Sequence, residues 1–182
     1  MRKILSILTI TTAMVACGQT SQNENQNAWK TFAQHDFTIQ YPDNFELNTS
    51  GQFGTRFALF SKDFIRSGVF CPNINLIIQN LTGHNISLDD FVEISESQIE
   101  TIHIEGTHTN GSLIESERIK KDNSEFQKII YTFNQGALEL IVKQYLMIKN
   151  EKAYILTFTA RIDQFDNYKD VATEIMNTFE LK

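Results

Sequence analysis

Apolar positions recur every second residue in "FTIQY" (37–41), where Phe37, Ile39 and Tyr41 share one face, and the same period of two predicts a strand over 55–60 in "TRFALF". Pro42-Asp43 ends the first, because proline has no N–H to give a ladder, and Ser50-Gly51 with Gly54 are turn signals before the second. In "NINLIIQNL" the apolar residues fall on both faces, Ile74, Leu76 and Ile78 on one and Ile77 and Leu81 on the other. That pattern predicts an interior strand covered on two sides. The period then changes to 3.6: Leu88, Phe91, Val92, Ser95, Ile99 and Ile102 form one stripe, preceded by Ser87 as N-cap with Asp90 three residues on.

Residues 112–160 read as four strands joined by turns at Asp122-Asn123, Asn134-Gln135-Gly136 and Asn150-Glu151-Lys152, an antiparallel meander. "LIESERIKK" is charged enough for a guarded edge strand, whereas "ALELIVKQYLMI" belongs near the centre. In the last strand Tyr154, Leu156, Phe158 and Ala160 point inward, with Thr157 and Thr159 opposite. A second helix starts near Asp163 as cap, with Phe165, Tyr168, Val171, Ala172, Ile175 and Phe179 on its stripe. Two helices and an antiparallel sheet make one α+β layered domain, with no repeat and no second domain.

The chain's start has a different pattern. Arg2 and Lys3 precede the apolar run 4–15, which is too short for the about 20 residues a membrane span needs and suits a signal peptide over residues 1–16. Its end, Met14-Val15-Ala16-Cys17, resembles the lipobox of bacterial lipoproteins, with Met14 where Leu is commonest. The resemblance implies that Cys17 is acylated, palmitate being one such chain, at about 0.8 kcal/mol per buried methylene. Residues 17–28 are then the lipidated cysteine and a disordered tether, its eleven polar residues reaching roughly 18 Å, and 29–182 is the domain. Gly18 in place of Asp points to the outer membrane of a bacterial cell envelope rather than the inner.

Losing Arg2 and Lys3 with the leader changes the balance from 16 basic and 22 acidic residues to 14 and 22, or −8. No basic footprint for nucleic acid remains. Cys71 has no cysteine partner once Cys17 is lipidated, so it reads as a small buried hydrophobe, its nearest basic neighbour along the chain being Arg66.

"FTIQYPDNFEL", "NINLIIQNL", "SLDDFVE" and "YILTFTARIDQFDNYKDVATEIMNTFEL" together resemble the PsbP-like family, whose fold is shared with a Mog-type Ran-binding nuclear-import factor and with many bacterial lipoproteins of unknown function. The family's usual Gly-Trp after the proline is replaced by Asn44-Phe45. The resemblance implies an αβα sandwich, a central antiparallel sheet of about six strands with a C-terminal meander and flanking helices, used for binding or assembly without a shared catalytic set.

Motifs for chemistry are sparse. There is no phosphate loop, no G-x-S-x-G elbow and no paired CxxC. In "HIEGTH", His103 and Glu105 would share a strand face and His108 the other unless Gly106 turns the chain, short of the ligands zinc takes. No catalytic, cofactor or metal residues are therefore assigned. Asp89, Glu93, Glu96 and Glu100 form an acidic stripe on the first helix, either a solvated face or a dock for a basic partner. The expected function is a non-enzymatic, lipid-anchored module that binds or helps assemble an envelope protein. The alternative is a carrier of a small apolar ligand between helix and sheet, since 14 Phe and 5 Tyr are many for this length.

Overall fold

The computed structural model describes residues 28–65, 70–100, 102–104, 107–109, 111–121 and 124–182. The leader, Cys17 and the tether up to residue 27 lie outside the described residues. The first half of the domain runs β1 (Trp29–Ala33), β2 (Phe37–Pro42), β3 (Phe45–Asn48), a 3₁₀ turn (Gln52–Gly54), β4 (Thr55–Ser61), α1 (Lys62–Ile65), β5 (Asn73–Asn80) and α2 (Leu88–Ile99). The second half runs β6 (Ile102–Ile104), β7 (Thr107–Thr109), β8 (Ser112–Lys121), β9 (Ser124–Gln135), β10 (Leu138–Lys149), β11 (Lys152–Arg161), α3 (Phe165–Asn177) and β12 (Glu180–Leu181).

The main sheet has seven strands in the order β3-β4-β5-β11-β10-β9-β8, all antiparallel. The meander is the one read from the sequence, and charged β8 is its edge. β2 also pairs elsewhere, joining β1 and β12 in a small sheet of three.

Alternation along each strand divides the core in two. On one face Ile74, Leu76, Leu156, Phe158 and Ala160 pack with Phe37, Ile39 and Tyr41 of the small sheet and with Ala172, Ile175 and Met176 of α3. Burying each such large side chain contributes about 1.5–3 kcal/mol. The C-terminal half of α3 is tied down by polar contacts: Lys143 Nζ donates to Thr173 Oγ1 at 2.8 Å, Tyr145 Oη to Asn177 Oδ1 at 3.2 Å, and the Gln40 N–H to Thr178 Oγ1 at 2.8 Å. On the other face Phe91 and Ile99 of α2 pack on Ile129, Leu146 and Ala153. The result is the αβα arrangement, with a small sheet beside α3 in one outer layer.

Three local expectations need correcting. Asp163 does not cap α3: the N-cap is Gln164, with no side-chain cap bond, because both Asp163 carboxylate oxygens accept from Arg161 at 3.0 and 2.6 Å. Ile102 does not continue the helical stripe, since α2 stops at Ile99 and Ile102 begins β6. Cys71 is half-buried rather than a core residue, its thiol donating to the Ser61 carbonyl at 3.3 Å, and burial pushes its pKa up. That keeps it a thiol rather than a nucleophilic thiolate.

The β10–β11 turn has two central residues, Asn150 and Glu151, both at positive φ (51° and 54°), the conformation of a type I′ hairpin. Asn tolerates this geometry and Glu does not. The backbone oxygen of Glu151 still accepts from the Leu81 N–H at 2.8 Å, a bond that any residue there can keep. Glu151→Gly should therefore raise unfolding stability by about 1 kcal/mol in urea titration. The Ser87 cap of α2 is a full capping box, with Asp90 N–H to Ser87 Oγ at 3.1 Å and Ser87 N–H to Asp90 Oδ2 at 2.9 Å. Ser87→Ala should cost about 1 kcal/mol. The Ser87 hydroxyl, which donates to Asp90 Oδ2 at 2.6 Å, and then the Ser87 N–H hold the Asp90 carboxyl below its usual range, so its contribution is present above the unfolded pKa and lost as pH falls through the lower folded value. Asp90→Asn should accordingly flatten the acid limb of the stability curve below about pH 4.

Candidate functional site

A helix of 12 residues is about 18 Å long, and seven strands span about 29 Å, so α2 cannot roof its whole face of the sheet. It lies over β8, β9 and β10. Among the described residues α2 does not extend over β4 and β5. This corrects one expectation for β5: the strand is interior in its hydrogen bonding, yet its second face, at Asn73, Asn75 and Ile77, is only half-buried. The sequence carried that signal in Asn73 and Asn75, which alternate with Ile74 and Leu76.

Two adjoining concavities result. A groove of about 570 Å³ runs between α2 and the sheet, with Phe91, Ile94 and Gln98 on the helix side and Gln79, Tyr131, Phe133, Gln144 and Ile155 on the sheet side. A cleft of about 290 Å³ lies beyond it under the β3–β4 turn, formed by Asn48, Gln52, Phe53, Phe60, Asn73, Asn75 and their neighbours. Ile77 in the cleft is the register partner of Ile155 in the groove, so the two meet at that pair. None of the described residues lining either concavity carries a charge. Burial pushes the Tyr131 hydroxyl up to about 12, leaving it a neutral hydrogen-bonding group in the groove. Gln144 Nε2 donates to Thr157 Oγ1 at 3.2 Å and holds the polar row of the floor in place.

The charges gather at the β8 edge instead. Arg118 meets Asp89 at 2.5 Å and Glu125 at 3.0 Å, while Lys128 meets Glu115 at 2.8 Å and Glu117 at 2.6 Å. Asp89 is thus withdrawn from the acidic stripe by a cation across the sheet edge. Glu93, Glu96 and Glu100 have no ion pair among the described residues. On the helical wheel the stripe faces away from the Ile94 and Gln98 flank, so it is separate from the groove.

The remaining sequence candidates scatter. The register sets His103 opposite His108 in the β6–β7 hairpin, Glu105 lies outside the described residues, and His35 and His84 are exposed. Among the described residues no three His, Cys, Asp or Glu side chains gather into a metal-sized group. Neither Phe53 nor Ile94 was found from the sequence, since an isolated aromatic between glycines and an apolar residue off the main stripe look like noise in a periodicity.

No family model matches the chain, and no curated protein matches it. Solved structures do. The solution structure of cyanobacterial PsbP (CyanoP) from Synechocystis sp. PCC 6803 is 13% identical, aligns over 91% of this chain and 99% of its own, and has a TM-score of 0.63. LpqN, involved in cell envelope biogenesis of Mycobacterium tuberculosis, is 14% identical over 87% of this chain and 92% of its own, also with a TM-score of 0.63. At such identities the shared property is the backbone fold. The chain has the PsbP-like fold.

Proposed function

We propose that this chain is a lipoprotein of the bacterial cell envelope, anchored through acylated Cys17, that acts without catalysis as a binding or assembly module for an envelope protein. The groove between α2 and the sheet is its docking face. One observation carries the reading: the groove is open along its length, with Ile94 43% exposed on its rim, while the cores above and below the sheet are filled. A carrier encloses its cargo, and the default carrier site is a mostly apolar cavity that buries most of the ligand. Here a row of glutamines interrupts the apolar floor. LpqN shares the fold and takes part in envelope biogenesis, which supports the compartment.

The second reading, a carrier of a small apolar ligand, draws on the groove's volume of about 570 Å³, within the range of ligand sites. Native mass spectrometry of the purified protein separates the two, since a carrier retains a co-purifying small molecule of constant mass.

Two outcomes test the proposal. Cys17→Ser should abolish incorporation of a clickable fatty acid and leave the protein soluble or unprocessed; undiminished label on the variant would contradict the lipidation. Ile94→Asp should leave the melting temperature within about 1 °C, as expected for a surface change of under 0.5 kcal/mol, and remove the protein captured by a photo-crosslinker at Gln98. Crosslinks identical in mass and yield in the variant argue against the groove as the docking face.

A further inference from the structure

The cleft beyond the groove has its own chemistry. Phe53 is 92% exposed, far more than any other large apolar side chain among the described residues. Its backbone sits at φ 53°, a conformation an aromatic residue rarely takes, between Gly51 and Gly54 at φ 77° and 74°. With the ring so exposed, no packing among the described residues offsets this cost. Beside it four side-chain amides converge, from Asn48, Gln52, Asn73 and Asn75, and several of their polar atoms are unused. Asn75 Nδ2 donates to Asn73 Oδ1 at 3.3 Å and Asn73 Nδ2 to the Cys71 carbonyl at 3.0 Å, but Asn75 Oδ1 and the Gln52 amide have no partner among the described residues.

We infer that this cleft is a binding site for a neutral oligosaccharide. An aromatic face is electron-rich and attracts the polarised C–H groups of a pyranose ring laid on it. A side-chain amide presents a donor and an acceptor side by side, the pattern that two vicinal hydroxyls complement. A cleft without a charge, in a chain carrying 22 acidic residues, excludes uronic, sulfated and phosphorylated sugars, which would be desolvated with no countercharge. A protein segment fits less well, because no described residue lining the cleft carries a charge to steer or register it.

Phe53 also lies at the end of the domain opposite Trp29. β1 and β2 pair Trp29 with Pro42 at one end and Ala33 with Thr38 at the other, and it is this second end, with Gln34 and Asp36, that Thr49 and Arg56 of the β3–β4 turn join.

The test uses the full chain carrying Cys17→Ser and calorimetric titration with maltohexaose, cellohexaose and chitohexaose, with a hexagalacturonate as the charged control. At least one neutral hexasaccharide should bind saturably and the hexagalacturonate at least tenfold more weakly. Phe53→Ala and Asn75→Ala should each weaken binding about five- to tenfold with an unchanged melting temperature, and Phe53→Trp should retain it. No saturable binding of any neutral probe at about 10 mM, ten times a weak Kd of about 1 mM, overturns the inference. So does binding that ignores both variants, or a protein captured by a photo-crosslinker at position 53 with no sugar bound. The Ile94→Asp experiment reads a different site, and its failure leaves this result standing.

Discussion

The structure depends on the pairing of β5 with β11. Eight register pairs, from Asn73–Thr159 to Asn80–Lys152, join an N-terminal half that ends in β5 to the meander β8–β11. Without them the main sheet is two separate pieces, each with an exposed edge. Forming the pairing closes a loop of about 70 residues, an entropic cost that grows only slowly with length, and the strands recover it by burying Ile74, Leu76, Leu156 and Phe158 completely. The folding transition state should for that reason be built late and from distant segments, as sheets with non-local pairings fold slowly.

Charge placement follows from the same sheet. At the β8 edge, Arg118 and Lys128 each bridge two carboxylates, which keeps that edge soluble and unattractive to further strands. Such exposed pairs add little stability, so their value lies in what they prevent. On the open part of the opposite strands the polar residues are amides and hydroxyls, which can exchange water for a neutral partner without stranding a charge. The two surfaces thus differ in chemistry: the edge is charged and the face is neutral.

Much of the fold was legible because period-two and period-3.6 patterns report burial directly. β2, β4, β5, the four meander strands, the Ser87 cap and both helical stripes could all be read that way. What escaped has a common physical cause. β1 turns only Phe32 inward, β3 has four residues and β12 two, too short for a period to show, and their strand character comes from partners elsewhere in the chain. Asp163 looked like a cap because its competing bond to Arg161 is a matter of geometry rather than spacing. Asp89 looked free because Arg118 is 29 residues away. The candidate site was least legible of all, since it arises from the ratio of a helix's length to a sheet's width, a quantity no single segment contains.

The direction of β1 has a mechanical consequence. It runs from Trp29 to Ala33, away from the end where the preceding segment enters, and its five register pairs with β2 lie side by side along that axis. A pull arriving through the segment before Trp29, with the far end of the domain held, loads those pairs in shear, all at once, instead of peeling them one at a time. The Ala28 carbonyl, which accepts from the Asp43 N–H at 3.1 Å, and the Lys30–Asp43 ion pair sit where the force enters. A domain attached in this way resists extraction by tension far better than its modest edge strand suggests, and it yields readily only to a force applied across the strands.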